Sequence, residues 1–365
     1  MHLSWFLQDS SMWFVEFMQQ ALYHPVEGYY SKLSSPFGKA GDFVTAPLLT
    51  PLFGQTLAKV CAATLTLLDN PIIFEFGAGN GQLCVDILTA LEKKGILPNA
   101  YLILELSHSL KTQQEALLKE KLPHLLPRVS WLKTWPKNAF QGVVIANEVL
   151  DAMPVHRFKL THDGVLESKI MRSNTFNLQE TWHPCISKRI EEHIKACTTH
   201  LKPPYISECN GLLDDWLANS SKMLAKGLML LIDYGFPLYE YYHEDRDNGT
   251  IMCHYRQHAH SDFLHNVGGQ DITAHVDFTH VAKASLKAGF NVAWFSSQAA
   301  FLLENGILDM LSSITGAKER FAANQQVMQL LSPTEMGELF KVMVLTKQFN
   351  LPFAWQKRYD KRGHL

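Results

Sequence analysis

A chain of 365 residues with 47% hydrophobic and 19% charged side chains has apolar material for one enlarged α/β domain or two smaller ones, which excludes a disordered or polyelectrolyte chain. A formal net charge of -2 lacks the basic excess of proteins that live on phosphate backbones, so no nucleic-acid partner is expected. Six scattered cysteines without a C-x-x-C pair read as reduced thiols; no apolar stretch suits a membrane span and the start lacks a basic n-region, so a cytoplasmic location with no membrane contact is expected.

In residues 11–22, Trp13, Phe14, Phe17, Met18 and Leu22 recur at helical spacing, with Asp9, Ser10 and Ser11 available as caps. An irregular stretch through Pro25, Gly28, Pro36, Gly38 and Gly41 follows, then apolar periodicity over 52–68, so residues 1–68 form a helical prelude. From there strands and helices alternate. Strands are expected at 72–76, 101–106, 129–132, 142–146 and 228–232, with helices at 82–94 and on through Leu118. Short continuous apolar runs suit strands buried on both faces, and the alternation specifies an α/β fold: a Rossmann-like, mostly parallel sheet with helices on both sides. Residues 69–155 are its cofactor-binding half.

Between the fourth and fifth strands the chain spends about 80 residues, far more than a crossover needs. The spacing predicts an inserted α+β subdomain over 156–226: strands 156–160 and 165–171 around the turn signal Asp163-Gly164, then helices at 186–196 and 212–224. Residues 227–365 complete the sheet. They include a connection over 236–275 rich in His, Tyr, Asp and Gly without a clear period, then helices and a last strand at 339–346.

The loop Glu75-Phe76-Gly77-Ala78-Gly79-Asn80-Gly81 follows the first buried strand and opens a helix. Glycines there let the backbone approach a ligand, and the helix aims its free N–H groups and positive dipole end at it. A dinucleotide fingerprint needs glycine at position 82, where Gln82 stands, so the register disfavours a nicotinamide cofactor. Glu105, ending the second strand, is placed to accept both hydroxyls of an adenosyl ribose. Together these features point to S-adenosyl-L-methionine.

Several further blocks stand in order: Phe17-Met18, Ala21-Leu22-Tyr23, Gly28-Tyr29-Tyr30, Gly41-Asp42-Phe43, Thr45-Ala46-Pro47 and Phe53-Gly54; then Asn147-Glu148-x-Leu150-Asp151-Ala152-x-Pro154, Ser207-Glu208 with Asn210, and Asp233-Tyr234-Gly235. Later come Gly249-Thr250 with Tyr255, the run Gln270-Asp271-Ile272-Thr273-Ala274-His275-Val276-Asp277-Phe278, and Met336-Gly337 with Phe340-Lys341-Val342. With the glycine loop they resemble the mitochondrial complex I assembly-factor protein-arginine methyltransferases and their bacterial relatives of the MidA type. The resemblance implies a class I methyltransferase fold, S-adenosyl-L-methionine as cofactor and a protein substrate methylated on arginine; a homodimer is left open. Where the family continues Thr-Ala-Pro with Glu, this chain has Leu48.

Guanidinium is a poor nucleophile because its charge is delocalised. Carboxylates that bind its N–H fork localise that charge and aim one nitrogen. Glu148 and Asp151, directly after the fourth strand, sit where open α/β sheets place their chemistry. The expected catalytic set is thus Glu148, Asp151 and His275. The expected cofactor contacts are Asp42, Thr45, Glu75, Gly77, Gly79, Gly81, Glu105 and Asn147, and the expected substrate contacts Asp271 and Asp277. The His-rich run from His254 to His275 lacks any known metal-site spacing, so no metal is expected. The competing readings are a nicotinamide oxidoreductase and a non-catalytic assembly scaffold that keeps the fold.

Overall fold

The structure is a computed structural model that describes residues 4–6, 11–32, 45–172, 177–352 and 354–365. Its central sheet contains β1 (Ile72–Phe76), β2 (Ala100–Leu104), β3 (Val129–Leu132), β4 (Phe140–Asn147), β5 (Leu224–Phe236), β6 (Asn291–Ser297) and β7 (Phe340–Lys347), in the order β6-β7-β5-β4-β1-β2-β3. Among the described residues β7 runs opposite to the other six strands and pairs antiparallel with both β5 and β6, and the two-residue strand Val276–Asp277 extends the sheet beside the end of β5. The α/β class read from the alternation is the one observed.

Side chains of these strands alternate between two cores, as a period of two requires. Ile73, Val143, Ile145, Leu230 and Val344 pack with helices α1 (Pro51–Leu65) and α2 (Gln82–Lys93); Phe74, Val144, Met229, Leu231 and Met343 pack with helices α3 (Leu213–Met223) and α4 (Phe278–Lys287). Each such buried side chain contributes about 1.5–3 kcal/mol. Covering both faces explains why the strands read as uninterrupted apolar runs.

A second, antiparallel sheet grows from the insertion. Its hairpin, His156–Thr161 and Gly164–Arg172, forms around the expected turn and is flanked by Leu178–Pro184 and Tyr205–Cys209. Residues 11–13, expected to begin a helix, are instead a strand on this sheet, Ser11 opposite Met171 and Trp13 opposite Lys169; the helix spans Phe14–Tyr23. An edge with unpaired backbone groups captured a segment whose spacing alone reads as helical. The connection over 236–275 likewise holds a small sheet, Met252–Tyr255 between His258–His260 and Asp271–Thr273. Arg157 ties three strands of the antiparallel sheet to this connection: it donates from Nε to Glu180 Oε1 (3.0 Å) and from a terminal nitrogen to Glu208 Oε1 (2.5 Å) and the Asn248 carbonyl (3.3 Å). Glu208 also accepts from Thr250 N (2.8 Å) and Thr250 Oγ1 (3.2 Å).

Candidate functional site

The chain leaves β1 toward β2 and β3 but returns to place β4 on the other side of β1, so the strand order reverses between β1 and β4. Outside the carboxyl ends of strands at such a reversal, open α/β sheets bind ligands. A cavity of about 750 Å³ lies there.

One end of the cavity is the glycine loop. Gly77 and Gly79 both take φ +55°, a left-handed conformation that side chains disfavour, and both line the cavity with Ala78 and Asn80. Gly77 N donates to the Leu104 carbonyl (3.0 Å), and Asn80 Oδ1 accepts from Gln82 N (3.0 Å) at the start of α2. Gly81 stands outside the lining; at φ +92° it caps α2, and a Cβ there would lie 3.2 Å from Gln114 Cα. Glu75 lines the cavity, yet its carboxylate accepts a 2.6 Å bond from the Tyr101 hydroxyl, and burial pushes its pKa up to about 7.

Glu105 follows β2 with its carboxylate held from two sides: Oε1 accepts from Ser107 N (2.8 Å) and Oε2 from Gln114 Nε2 (2.9 Å). Gln114 also donates to the Gly79 carbonyl (2.8 Å) and accepts from Trp131 Nε1 (2.7 Å). One fully buried side chain thereby fixes the glycine loop, the acid after β2 and the end of β3 relative to each other. Nothing in the sequence pattern singles Gln114 out, since it is an ordinary polar residue of the helix His108–Lys121.

The other end is acidic. Asn147 ends β4, and its Nδ2 donates to Glu148 Oε1 (3.1 Å) while its buried Oδ1 has no partner among the described residues. Glu148, Asp151 and Asp271 all line the cavity, together with Thr45, which precedes the short helix Ala46–Leu49, and Leu48 on that helix. Burial pushes Glu148 up to about 8, with the neighbouring Asp151 adding to the shift, and Asp151 itself up to about 6. Sequence reasoning missed the aromatic wall of this end. Tyr23 and Tyr30 stack at 5.5 Å; Tyr30 donates to Asp271 Oδ1 (3.0 Å) and Tyr23 to the Ala152 carbonyl (2.9 Å). Both tyrosines stood in the matched blocks, but no spacing rule brings residues 23, 30 and 271 together.

Besides Gly81, two expected site residues lie outside the cavity. Asp277 caps α4, its Oδ1 accepting from Thr279 N (2.9 Å) and His280 N (3.1 Å). His275 packs between Tyr234 and Phe236 beside a separate cavity of about 20 Å³, and burial lowers its pKa to about 4, so it is a neutral imidazole at physiological pH. Backbone direction explains both: Val276–Asp277 runs parallel along β5, carrying 275 and 277 behind the wall that Asp271 faces. Asp42 lies outside the described residues.

Comparison with known proteins gives the site its class. Residues 56–296 match a family described as S-adenosyl-L-methionine-dependent methyltransferases. The chain is 27% identical to the mitochondrial protein arginine methyltransferase NDUFAF7 homolog of Caenorhabditis elegans, over 99% of this chain and 90% of that one, and 27% identical to the NDUFAF7 protein of Bos taurus, over 90% and 79%. A Burkholderia thailandensis protein crystallised with S-adenosyl-homocysteine superposes with a TM-score of 0.91 at 38% identity, covering 98% of this chain and 93% of the other. The curated relatives are mitochondrial proteins, which overturns the cytoplasmic expectation. Gly77, Gly79 and the carboxylate after β2 lining one cavity fit adenosylmethionine, and Gln82 where a dinucleotide fingerprint needs glycine leaves the nicotinamide reading without support. The chain belongs to the S-adenosyl-L-methionine-dependent methyltransferase family, and it is an enzyme of that class.

Proposed function

We propose that this methyltransferase acts on the guanidinium of an arginine in a protein substrate, and that the two ends of the cavity divide the work. The observation that carries the reading is that Glu148, Asp151 and Asp271 line the same cavity as Gly77, Gly79 and Glu105. The names of the curated relatives support it, and the family resemblance extends the target class to a subunit of the respiratory complex I type.

When bound, the cofactor supplies an electrophilic methyl group. The chain's residues position what surrounds it. Glu105, already aimed by Ser107 and Gln114, offers oxygens to the ribose hydroxyls, the loop from Gly77 to Gly79 admits the ligand backbone-close, and the unpaired Asn147 Oδ1 accepts from an ammonium. At the far end Glu148 and Asp151 bind the N–H fork of the guanidinium, and Asp271, fixed by Tyr30, completes the acidic wall. A methylated guanidinium nitrogen must shed one proton, and a carboxylate whose pKa lies near 8 is a suitable acceptor for it. Leu48 replaces an acid of the family, so the clamp here relies on the remaining carboxylates.

The test is transfer of a radiolabelled methyl group to a candidate substrate protein. Glu148→Gln and Asp151→Asn should retain cofactor affinity while transfer falls roughly a hundredfold, the usual cost of losing an electrostatic contact made in the transition state. Parent-like transfer by both variants would remove these acids from the reaction.

A further inference from the structure

Glu148 has φ +53°, in the left-handed region that non-glycine residues rarely occupy. Such a backbone persists only where its surroundings hold it. Its own N–H is engaged by the Ile232 carbonyl at 2.9 Å, which anchors the start of the elbow to β5. The following three N–H groups, of Val149, Leu150 and Asp151, all point at one oxygen, Asp233 Oδ2, at 3.1, 2.9 and 3.3 Å. The other oxygen, Oδ1, accepts from Tyr234 N at 2.9 Å. Asp233 is 1% exposed and does not line the cavity.

We infer that Asp233 is the positioning residue of the acceptor site: its buried carboxylate fills an anion nest in the backbone after β4 and so locks the left-handed elbow that turns Glu148 and Asp151 into the cavity. The inference rests on the guanidinium clamp proposed above and adds what holds it in place. Successive N–H groups converging on one point would repel one another if left empty, and a neutral side chain satisfies three donors poorly. Burial, with Asp151 and Glu148 nearby, pushes this carboxyl well above the usual carboxylate range, and the N–H donors of Leu150 and Tyr234 oppose that rise. The nest also explains the placement of the two acids. They leave β4 on consecutive sides of a tight turn, and that turn has no glycine to relieve it.

The experiment compares Asp233→Asn, Glu148→Gln and the double variant for radiolabel transfer and calorimetric cofactor affinity. Asp233→Asn should bind S-adenosylmethionine within twofold of the parent, lower kcat at least tenfold, and cost less in the Glu148→Gln background than alone, because part of its effect runs through that residue. Parent-like transfer by Asp233→Asn alongside a crippled Glu148→Gln overturns this inference and leaves the clamp standing. Parent-like transfer by Glu148→Gln overturns the clamp and this inference with it. Additive losses also overturn the inference, since Asp233 would then act elsewhere. Should Asp233→Asn not fold, hydrogen exchange on the parent decides: the amides of 149–151 should be protected like those of β5, and free exchange there overturns the nest.

Discussion

Glu148 and Asp151 keep their carboxyl groups where charge is poorly solvated, and this sets opposite pH trends for stability and turnover. Burial raises the pKa of the first to about 8 and of the second to about 6, against about 4 in an unfolded chain. Between those limits the folded protein holds protons that the unfolded chain has released, so stability falls as pH rises from about 5 to about 8. Thermal melting of the cofactor-free protein over that range should show the fall, and Glu148→Gln should flatten its upper part. Turnover runs the other way, because only the ionised clamp binds guanidinium: kcat/KM should rise with an apparent pKa near 8, and a flat profile would count against Glu148. At the cofactor end, Glu105→Ala removes hydrogen bonds worth about 1–3 kcal/mol and leaves Gln114 Nε2 with one partner fewer; cofactor affinity by calorimetry should drop about tenfold or more. An affinity within twofold of the parent would sink the ribose role. Glu105, Glu148 and Asp151 were legible in the sequence because each directly follows a strand whose apolar run is unmistakable. Gln114 and Asp233 were not, since their roles are hydrogen bonds to backbone atoms that only folding brings near.

Among the elements, α4 shows how a residue in a chemically suggestive block can serve the scaffold. Asp277 directly precedes that helix, and its carboxylate accepts from the N–H groups of Thr279 and His280 in the first turn, so it is a cap. Asp277→Ala should cost about 0.5–2 kcal/mol in chemical denaturation while methyl transfer stays at the parent level. A stable variant that no longer transfers would return Asp277 to the substrate site. The elements that sequence reading placed well share one property: they bury a whole face or both faces, as β1, β4 and β5 do, or carry a strong turn signal, as the hairpin at Asp163-Gly164 does. Those it missed are short or mixed in polarity. Leu178–Pro184 has no buried residue and Tyr205–Cys209 only five positions, so neither offers a period to read.

For the molecule as a whole, Arg157 is the joint. Its guanidinium links the hairpin, the strand Tyr205–Cys209 and the connection that carries Asp271, while Glu208 opposite it is fully buried. Removing the cation strands a buried carboxylate, so Arg157→Met should destabilise by about 3–5 kcal/mol, read from denaturant midpoints, with a partial recovery when Glu208→Gln is added. A loss below about 1 kcal/mol would show the pair to be dispensable. Tyr30 and Asp271, which share a hydrogen bond across the acceptor end, are 241 positions apart in the chain. At synthesis rates of roughly 5–20 residues per second, roughly 10–50 s separate their emergence from the ribosome. During that interval the glycine loop, Glu105, Glu148 and Asp151 are made in turn, and of the residues that line the cavity Asp271 is the last to emerge. The acceptor end is therefore closed last, by a residue made after every other side chain that lines the cavity.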